Sequence, residues 1–331
     1  MINFLEKCLI LAKKGQGNVA PNPMVGAILM HDGKIIGEGY HAAFRKPHAE
    51  VGAINDAIEN GHSDLISKST LYINLEPCCH HGKTPPCTDL IIKHGIKKVV
   101  IAMKDPNPKV SGSGIRKLKE ANIEVELIDL LEAEELNKIF IKNITTALPY
   151  VHLKVALTTD NKLTVQKGTR TKLTTEEEDK QVHELRNQYD GILVGRNTIQ
   201  IDNPKLTCRL PEGKNPIRII LDSKASLLTE ENFKHLNIFL EKGENLIAIT
   251  KESSIQLPKN TRILLCKENK NGQIDLKSLL HLLFQEGIFS ILVEGGYEVI
   301  QSFFKENLID EKTLFKSEIA SLDTDLPTIS L

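Results

Sequence analysis

The strongest constraint on the fold is that three distant side chains have to meet. His48 and Glu50 stand in Pro47-His48-Ala49-Glu50, and two thiols bound the stretch Cys78-Cys79-His80-His81-Gly82-Lys83-Thr84-Pro85-Pro86-Cys87, which follows Glu76-Pro77. One imidazole, two thiols and a spare carboxylate are the parts of a zinc site that keeps one position open for water. Three protein ligands with an open fourth position is the catalytic pattern, whereas four protein ligands close the metal off. Any fold for this chain therefore brings residues 48–50 against residues 78–87. Eight residues lie between Cys78 and Cys87, a longer loop than the C-x-x-C spacing common among zinc sites.

Hydrophobic periodicity indicates how the chain does this. Phe4, Leu5, Cys8, Leu9, Leu11 and Ala12 fall at helical spacing. Met24–Met30 and Lys34–Tyr40 read as strands joined by the Asp32-Gly33 hairpin signal. Pro47 suits the first position of a helix running to about Glu59, which places His48 and Glu50 in its first turn. The strand Thr70–Leu75 delivers Cys78 at its carboxyl end. Cys87 opens a helix ending near Gly95, where unpaired N–H groups favour a thiolate. A strand at 99–102, the turn Asp105-Pro106-Asn107-Pro108, the loop Ser111-Gly112-Ser113-Gly114, a helix near 115–120 and a strand near 123–128 follow. One acidic, leucine-rich helix from Leu131 to about Ile144 closes an α/β layered domain at residues 1–146. A second α/β domain, 147–331, opens with the strand Tyr150–Leu157 and adds strands at 191–195, 217–222, 246–250 and 288–293. Two domains suit 331 residues, a length beyond one ordinary core.

Charge narrows the partners. Lysine plus arginine (42) nearly balances aspartate plus glutamate (43), so no global electrostatic case exists for nucleic acid or a membrane surface. The first residues lack a signal-peptide pattern, and no apolar run approaches membrane-spanning length. Three of six cysteines cluster beside histidines, which favours metal over disulfides. The expected setting is cytoplasmic and the expected partner a small molecule.

Zinc held by two thiolates and a neutral imidazole lowers the pKa of bound water towards neutrality. Glu50 would take that proton and hand it to a departing amine, so hydroxide attack on an amino-substituted ring carbon releases ammonia. Cys79 reads as a packed neighbour. The competing reading is a structural zinc knot in a non-catalytic binding module, with His80 or His81 as fourth ligand. Glu50 and the strand-to-helix placements favour the open site.

His48-Ala49-Glu50 with Pro77-Cys78-x-His80-x-Gly82-x-Thr84-Pro85-Pro86-Cys87 resembles the bifunctional riboflavin-biosynthesis deaminase/reductases. Further family-like signatures are Pro21-Asn22-Pro23-x-Val25-Gly26, Gly37-x-Gly39-x-His41 and Asp105-Pro106-Asn107-Pro108. The resemblance implies a cytidine-deaminase-like three-layer domain, with zinc on His48, Cys78 and Cys87 and Glu50 as proton shuttle. Asn22, His41, Lys83, Asp105 and Asn107 would line the pyrimidine and ribose-phosphate pocket. In the long loop, His80, Gly82, Lys83 and Thr84 would reach over the phosphorylated sugar. The implied substrate is 2,5-diamino-6-(5-phosphoribosylamino)pyrimidin-4-one.

The second half carries the resemblance in Val182-His183-x-Leu185-Arg186, Asn197–Arg209, Leu221-Asp222-Ser223 and Val293-Glu294-Gly295-Gly296. It implies a dihydrofolate-reductase-like α/β domain that uses NADPH to reduce the ribosyl group to ribityl. Leu157, Lys172, Thr198, Asp202, Ser223, Gly296, Tyr297, Glu298, Val299, Ile300, Gln301 and Ser302 would fall to NADPH. Arg186, Leu206, Arg209 and Glu294 would fall to the sugar-phosphate substrate, the arginines through their guanidinium forks. This half departs from the family at Thr158-Thr159-Asp160-Asn161-Lys162, at Lys172 where a Trp is expected, and in the shorter tail after Glu311. A deaminase with an impaired reductase half is the alternative within enzymes. The resemblance also implies a homo-oligomer.

Overall fold

The computed structural model describes residues 2–80, 85–108 and 110–329. They divide into two compact units between Ala147 and Leu148. Among the described residues no helix is long and apolar enough to cross a membrane.

The first unit runs α1 (Ile2–Lys13), β1 (Gly26–His31), β2 (Lys34–Tyr40), α2 (Ala49–Glu59), β3 (Thr70–Ile73), α3 (Cys87–Lys93), β4 (Lys98–Ile101), α4 (Ser113–Glu120), β5 (Glu124–Leu127), α5 (Leu131–Leu136) and α6 (Lys138–Thr146). Its five strands are ordered β2-β1-β3-β4-β5, with β1 antiparallel to both neighbours and the rest parallel. Alternate residues of each strand feed opposite cores. Ala27, Leu29, Leu71, Ile73, Val99 and Ile101 pack on one face, and Ile28, Tyr72 and Val100 on the other. Both faces are buried, as a sheet between two helical layers requires. Gly37 and Gly39 let α2 lie close on β2: a Cβ on Gly39 would sit 2.3 Å from Ala49 O and from Ala53 N. That close approach seats the amino end of α2 beside the carboxyl ends of the central strands.

The second unit runs β6 (Tyr150–Leu157), α7 (Glu176–Gln188), β7 (Gly191–Gly195), α8 (Arg196–Asp202), β8 (Ile217–Leu221), α9 (Glu230–His235), α10 (Asn237–Leu240), β9 (Asn245–Ile249), β10 (Thr261–Leu265), α11 (Leu276–Gln285), β11 (Ser290–Val293), α12 (Tyr297–Lys305) and β12 (Glu311–Lys316). The sheet order is β10-β9-β8-β7-β11-β6-β12, and every pairing among the described residues is parallel. Cores again form on both faces, around Leu193 and Ile219 on one and Ile192, Val194 and Ile220 on the other.

Two local expectations are corrected, and two strands are added. Helix α2 begins at Ala49, because His48 is extended (φ −71°, ψ 163°) and caps it, which leaves Pro47 outside. The single helix expected over 131–144 is two, broken at Asn137 (φ −105°, ψ 16°). There the side chain bonds the backbone of Met24, a competitor that helix interiors tolerate poorly. β10 and β12 were not legible as strands. In β12 only Phe315 is fully buried among exposed and half-buried neighbours, so it lacks the apolar run that marks the central strands.

Candidate active sites

In the first unit, the amino ends of α2 and α3 converge on the loop leaving β3. His48 Nδ1 lies 3.7 Å from Cys78 Sγ and 3.3 Å from Cys87 Sγ, and the three donor atoms fall within 4.8 Å of one another. A tetrahedral zinc with ordinary Zn–S and Zn–N lengths has an S···N edge of about 3.6 Å, so this donor set fits the ion. The thiols share charge in a way that suits a cation. Cys78 is held low, at about 4, first by the hydrogen bond from the Cys87 thiol and then by His48. Cys87 is pushed up by the Cys78 sulfur beside it and by burial. The Cys87 backbone N–H also donates to Cys78 Sγ at 3.3 Å. All six cysteines are free thiols, and among the described residues neither Cys79 nor His80 joins the cluster.

Glu50, in the first turn of α2, is 3% exposed. Burial, with the negative Cys78 sulfur adding to it, lifts its pKa to about 7. A cavity of about 300 Å³ opens here, lined by Asn22, His41, His48, Glu50, Cys78, His80, Asp105 and Asn107. Asn22 Nδ2 donates to His41 Nε2 (3.1 Å), so the ring proton sits on Nδ1 and goes to Pro47 O at 3.0 Å. Burial lowers the His41 pKa and favours this neutral ring. Asp105 accepts the Asn107 N–H at 2.8 Å, and burial raises its pKa. Lys83, with Gly82 and Thr84, lies outside the described residues.

Three further lining residues, Glu76, Phe140 and Ile144, escaped the sequence reading. Glu76 is buried, and its carboxylate accepts four backbone N–H groups: Asp105 and Gly112 on Oε2, Gly114 and Ile115 on Oε1, at 2.8–3.1 Å. It thereby ties the loop leaving β4 to the loop that carries Cys78. An acid directly after the apolar strand Thr70–Leu75 was the available signal.

In the second unit the residues expected at NADPH follow the carboxyl ends of parallel strands: Leu157 ends β6, Thr198 and Asp202 lie on α8 after β7, Ser223 follows β8, and Gly296 caps α12 after β11. Ligands of parallel α/β sheets bind at such ends. A Cβ on Gly296 would meet nothing nearer than Thr198 Oγ1 at 3.8 Å, so space is left beside the residue that caps α12, whose first turn is Tyr297 to Ile300. Gln301 and Ser302 continue that helix, and Ser302 Oγ donates to Glu298 O within it. Ile300 is fully buried in the core, which leaves its backbone as the part able to touch a cofactor. Lys172, at the place of the expected Trp, pairs with Asp179 at 2.8 Å.

Two residues expected at the sugar phosphate, Arg186 and Glu294, meet each other. Arg186 spends its fork on Glu294 (2.8 and 2.9 Å) and gives Nη1 to Thr207 O. Lys154 Nζ, 3.8 Å from Glu294 Oε2, joins them. Sequence reasoning missed Lys154, although it interrupts the apolar strand β6. Leu206 (φ 51°) buries its side chain in the core, while Arg209 is exposed and its N–H donates to His183 Nδ1 at 3.3 Å.

Comparison with known proteins gives the lineage. The family described as RibD C-terminal domain matches residues 149–317, and the cytidine and deoxycytidylate deaminase zinc-binding region matches residues 2–103. The riboflavin biosynthesis protein RibD of Aquifex aeolicus is 42% identical over 321 residues, covering 95% of this chain and 85% of its own. The chain belongs to the RibD riboflavin biosynthesis family. The RibD protein of Escherichia coli K12 is 36% identical over 94% of this chain and 86% of its own. A crystal structure from Thermotoga maritima, described as a diaminohydroxyphosphoribosylaminopyrimidine deaminase/5-amino-6-(5-phosphoribosylamino)uracil reductase, superposes with a TM-score of 0.85 at 41% identity. It covers 99% of this chain and 90% of that one. Acinetobacter baumannii RibD gives a TM-score of 0.81 at 31% identity, over 98% of this chain and 88% of its own. A two-unit α/β RibD architecture, cytidine-deaminase-like and then reductase-like, is thus the fold of this chain.

Proposed function

We propose that this chain is a bifunctional enzyme of riboflavin biosynthesis. It hydrolyses the amine from 2,5-diamino-6-(5-phosphoribosylamino)pyrimidin-4-one and then reduces the ribosyl group of the product to ribityl. The observation that carries this reading is the His48–Cys78–Cys87 donor set with a fourth side chain, the carboxyl of Glu50, buried beside it in the cavity. That arrangement argues against the closed structural knot.

His48, Cys78 and Cys87 would hold zinc, which when bound supplies the Lewis acidity that makes water a nucleophile near neutral pH. Glu50 then takes a proton from the attacking water and returns it to the leaving nitrogen. Water adds at the ring carbon, the C–N bond breaks, and the carbon becomes a carbonyl as ammonia leaves. Asn22 and His41 form a preset hydrogen-bonded pair against the pyrimidine, with Asp105 and Asn107 opposite. Such fixed groups contribute orientation at no cost in reorganisation during the reaction. Lys83 would complete the phosphate end.

In the second unit NADPH, when bound, would supply the hydride. Gly296 and the first turn of α12 would take a cofactor phosphate, with Leu157, Lys172, Thr198, Asp202, Ser223 and Gln301–Ser302 around it. Glu294, Arg209 and the backbone of Leu206 would meet the sugar phosphate. Arg186 would meet the sugar phosphate with the N–H donors that its bonds to Glu294 and Thr207 O leave over, and it holds Glu294 in place. The same reading makes the enzyme cytoplasmic and homo-oligomeric; light scattering measures the latter.

Purified protein given the diaminopyrimidinone nucleotide should release ammonia, and with NADPH the nicotinamide absorbance band should then fall. No ammonia from any aminopyrimidine nucleotide would leave the binding-module reading standing. Ammonia without loss of that band would leave a deaminase alone. Glu50→Gln should keep zinc and lose about 10²–10⁴-fold in deamination rate.

A further inference from the structure

We infer that Asn137 is a positioning residue for deamination, which sets the Asn22–His41 pair of the pocket from the break between α5 and α6. The inference rests on the deaminase reading above. Asn137 is 2% exposed at the break between α5 and α6. Its amide reads both backbone groups of one residue: Oδ1 accepts Met24 N–H at 2.8 Å, and Nδ2 donates to Met24 O at 3.0 Å. Buried Asn74 reinforces the grip, since its Nδ2 also reaches Met24 O at 3.0 Å and its Oδ1 accepts Gly26 N–H at 2.8 Å.

Met24 sits between two attachments to His41. On one side Asn22 donates to His41 Nε2, and on the other Val25 O accepts the His41 backbone N–H at 2.9 Å. His41 in turn gives its Nδ1 proton to Pro47 O, next to His48. Fixing Met24 therefore fixes the height of the Asn22 amide against the imidazole and the register of His41. The segment that carries Asn22 contains no helix or strand before Gly26. Without the two amides, half-buried Met24 would lose those partners for its N–H and C=O, and the segment would shift towards other partners.

The same residue acts on another part of the lining. The bond from Asn137 to Met24 accompanies the break that starts a new helix at Lys138, and that helix brings Phe140 and Ile144 to the cavity. One side chain thus links a pocket wall to the Asn22 turn. A merely structural role predicts loss of stability without a selective effect on substrate binding. A positioning role predicts a KM effect that depends on Asn22.

The test uses the full-length zinc-loaded enzyme and follows ammonia release, zinc content and NADPH-dependent reduction of the deaminated intermediate. Asn137→Ala should raise the deamination KM by roughly tenfold or more, with zinc content and reduction at wild-type levels. Asn137→Asp is isosteric; it keeps the acceptor for Met24 N–H but turns an oxygen towards Met24 O, so it should raise KM as well. In an Asn22→Ala background the further effect of Asn137→Ala should shrink to below about twofold, because coupled residues are not additive. Amide exchange over residues 20–26 should quicken in both Asn137 variants whether or not they turn over. Unchanged KM in a wild-type-active background overturns the inference, as do full additivity with Asn22→Ala or a loss that tracks zinc release. A wild-type protein that releases no ammonia overturns the functional reading instead.

Discussion

Arg186 holds Glu294 by two parallel hydrogen bonds, Nε to Oε1 at 2.8 Å and Nη2 to Oε2 at 2.9 Å, with both side chains largely buried. Burial alone would raise the carboxyl pKa, but Arg186 and Lys154 outweigh it and hold Glu294 at about 2, below its ordinary 4.5. A folded pKa below the unfolded one gives stability that is complete above the unfolded value. It is lost as pH falls through the folded value. The second unit should therefore weaken between about pH 4.5 and 2. Glu294→Gln should flatten that slope and, at neutral pH, cost about 3–5 kcal/mol, because the buried Arg186 guanidinium is left without its carboxylate countercharge. Denaturant unfolding at a series of pH values measures both, and a slope unchanged in the variant would refute the assignment.

Metal removal should separate the two activities. His48, Cys78 and Cys87 all lie in the first unit, so a strong chelator should abolish ammonia release. Reduction of the deaminated intermediate by NADPH should continue. Added zinc should restore the first activity, since its ligands are preassembled by α2 and α3. Parallel loss of both activities on chelation would contradict this division.

Glu76 is expected to matter through the backbone it holds. In Glu76→Gln one carboxylate oxygen becomes an NH₂ group facing two N–H donors. Each buried donor left unsatisfied costs about 1–3 kcal/mol. The variant should lower the unfolding midpoint of the first unit and raise the deamination KM, because Asp105 and Asn107 ride on that loop. Wild-type stability together with wild-type KM would show that the loop is held by other means.

Gly295 permits the close seat of α12. A Cβ there would stand 2.6 Å from Val299 Cβ and Cγ1, and a β-branched side chain in a helix has little rotamer freedom to yield. Gly295→Ala should displace the first turn of α12 and raise the KM for NADPH on the order of tenfold to a hundredfold, with deamination untouched. Steady-state kinetics of the two half-reactions check this, and an unaltered NADPH KM would remove α12 from the cofactor site.

What the sequence by itself determined was set by short-range pattern. Alternating apolar residues marked the central strands, the Asp32-Gly33 hairpin fixed the β1–β2 pair, and His48, Glu50, Cys78 and Cys87 declared a metal site by type and spacing. The resemblance to a known family carried the substrate and cofactor. Tertiary structure decided which polar partner each long side chain takes. Arg186 was expected at the sugar phosphate, and its fork also holds a carboxylate 108 residues away. Asn137 was read as part of one helix, yet it bonds a backbone 113 residues away and breaks that helix. Lys154 and Glu76 acquired their places only when neighbouring strands and loops closed around them. Periodicity and spacing are local properties of a chain. The pairing of buried polar groups is not, because it follows from which surfaces packing brings together and from the cost of leaving any such group without a partner.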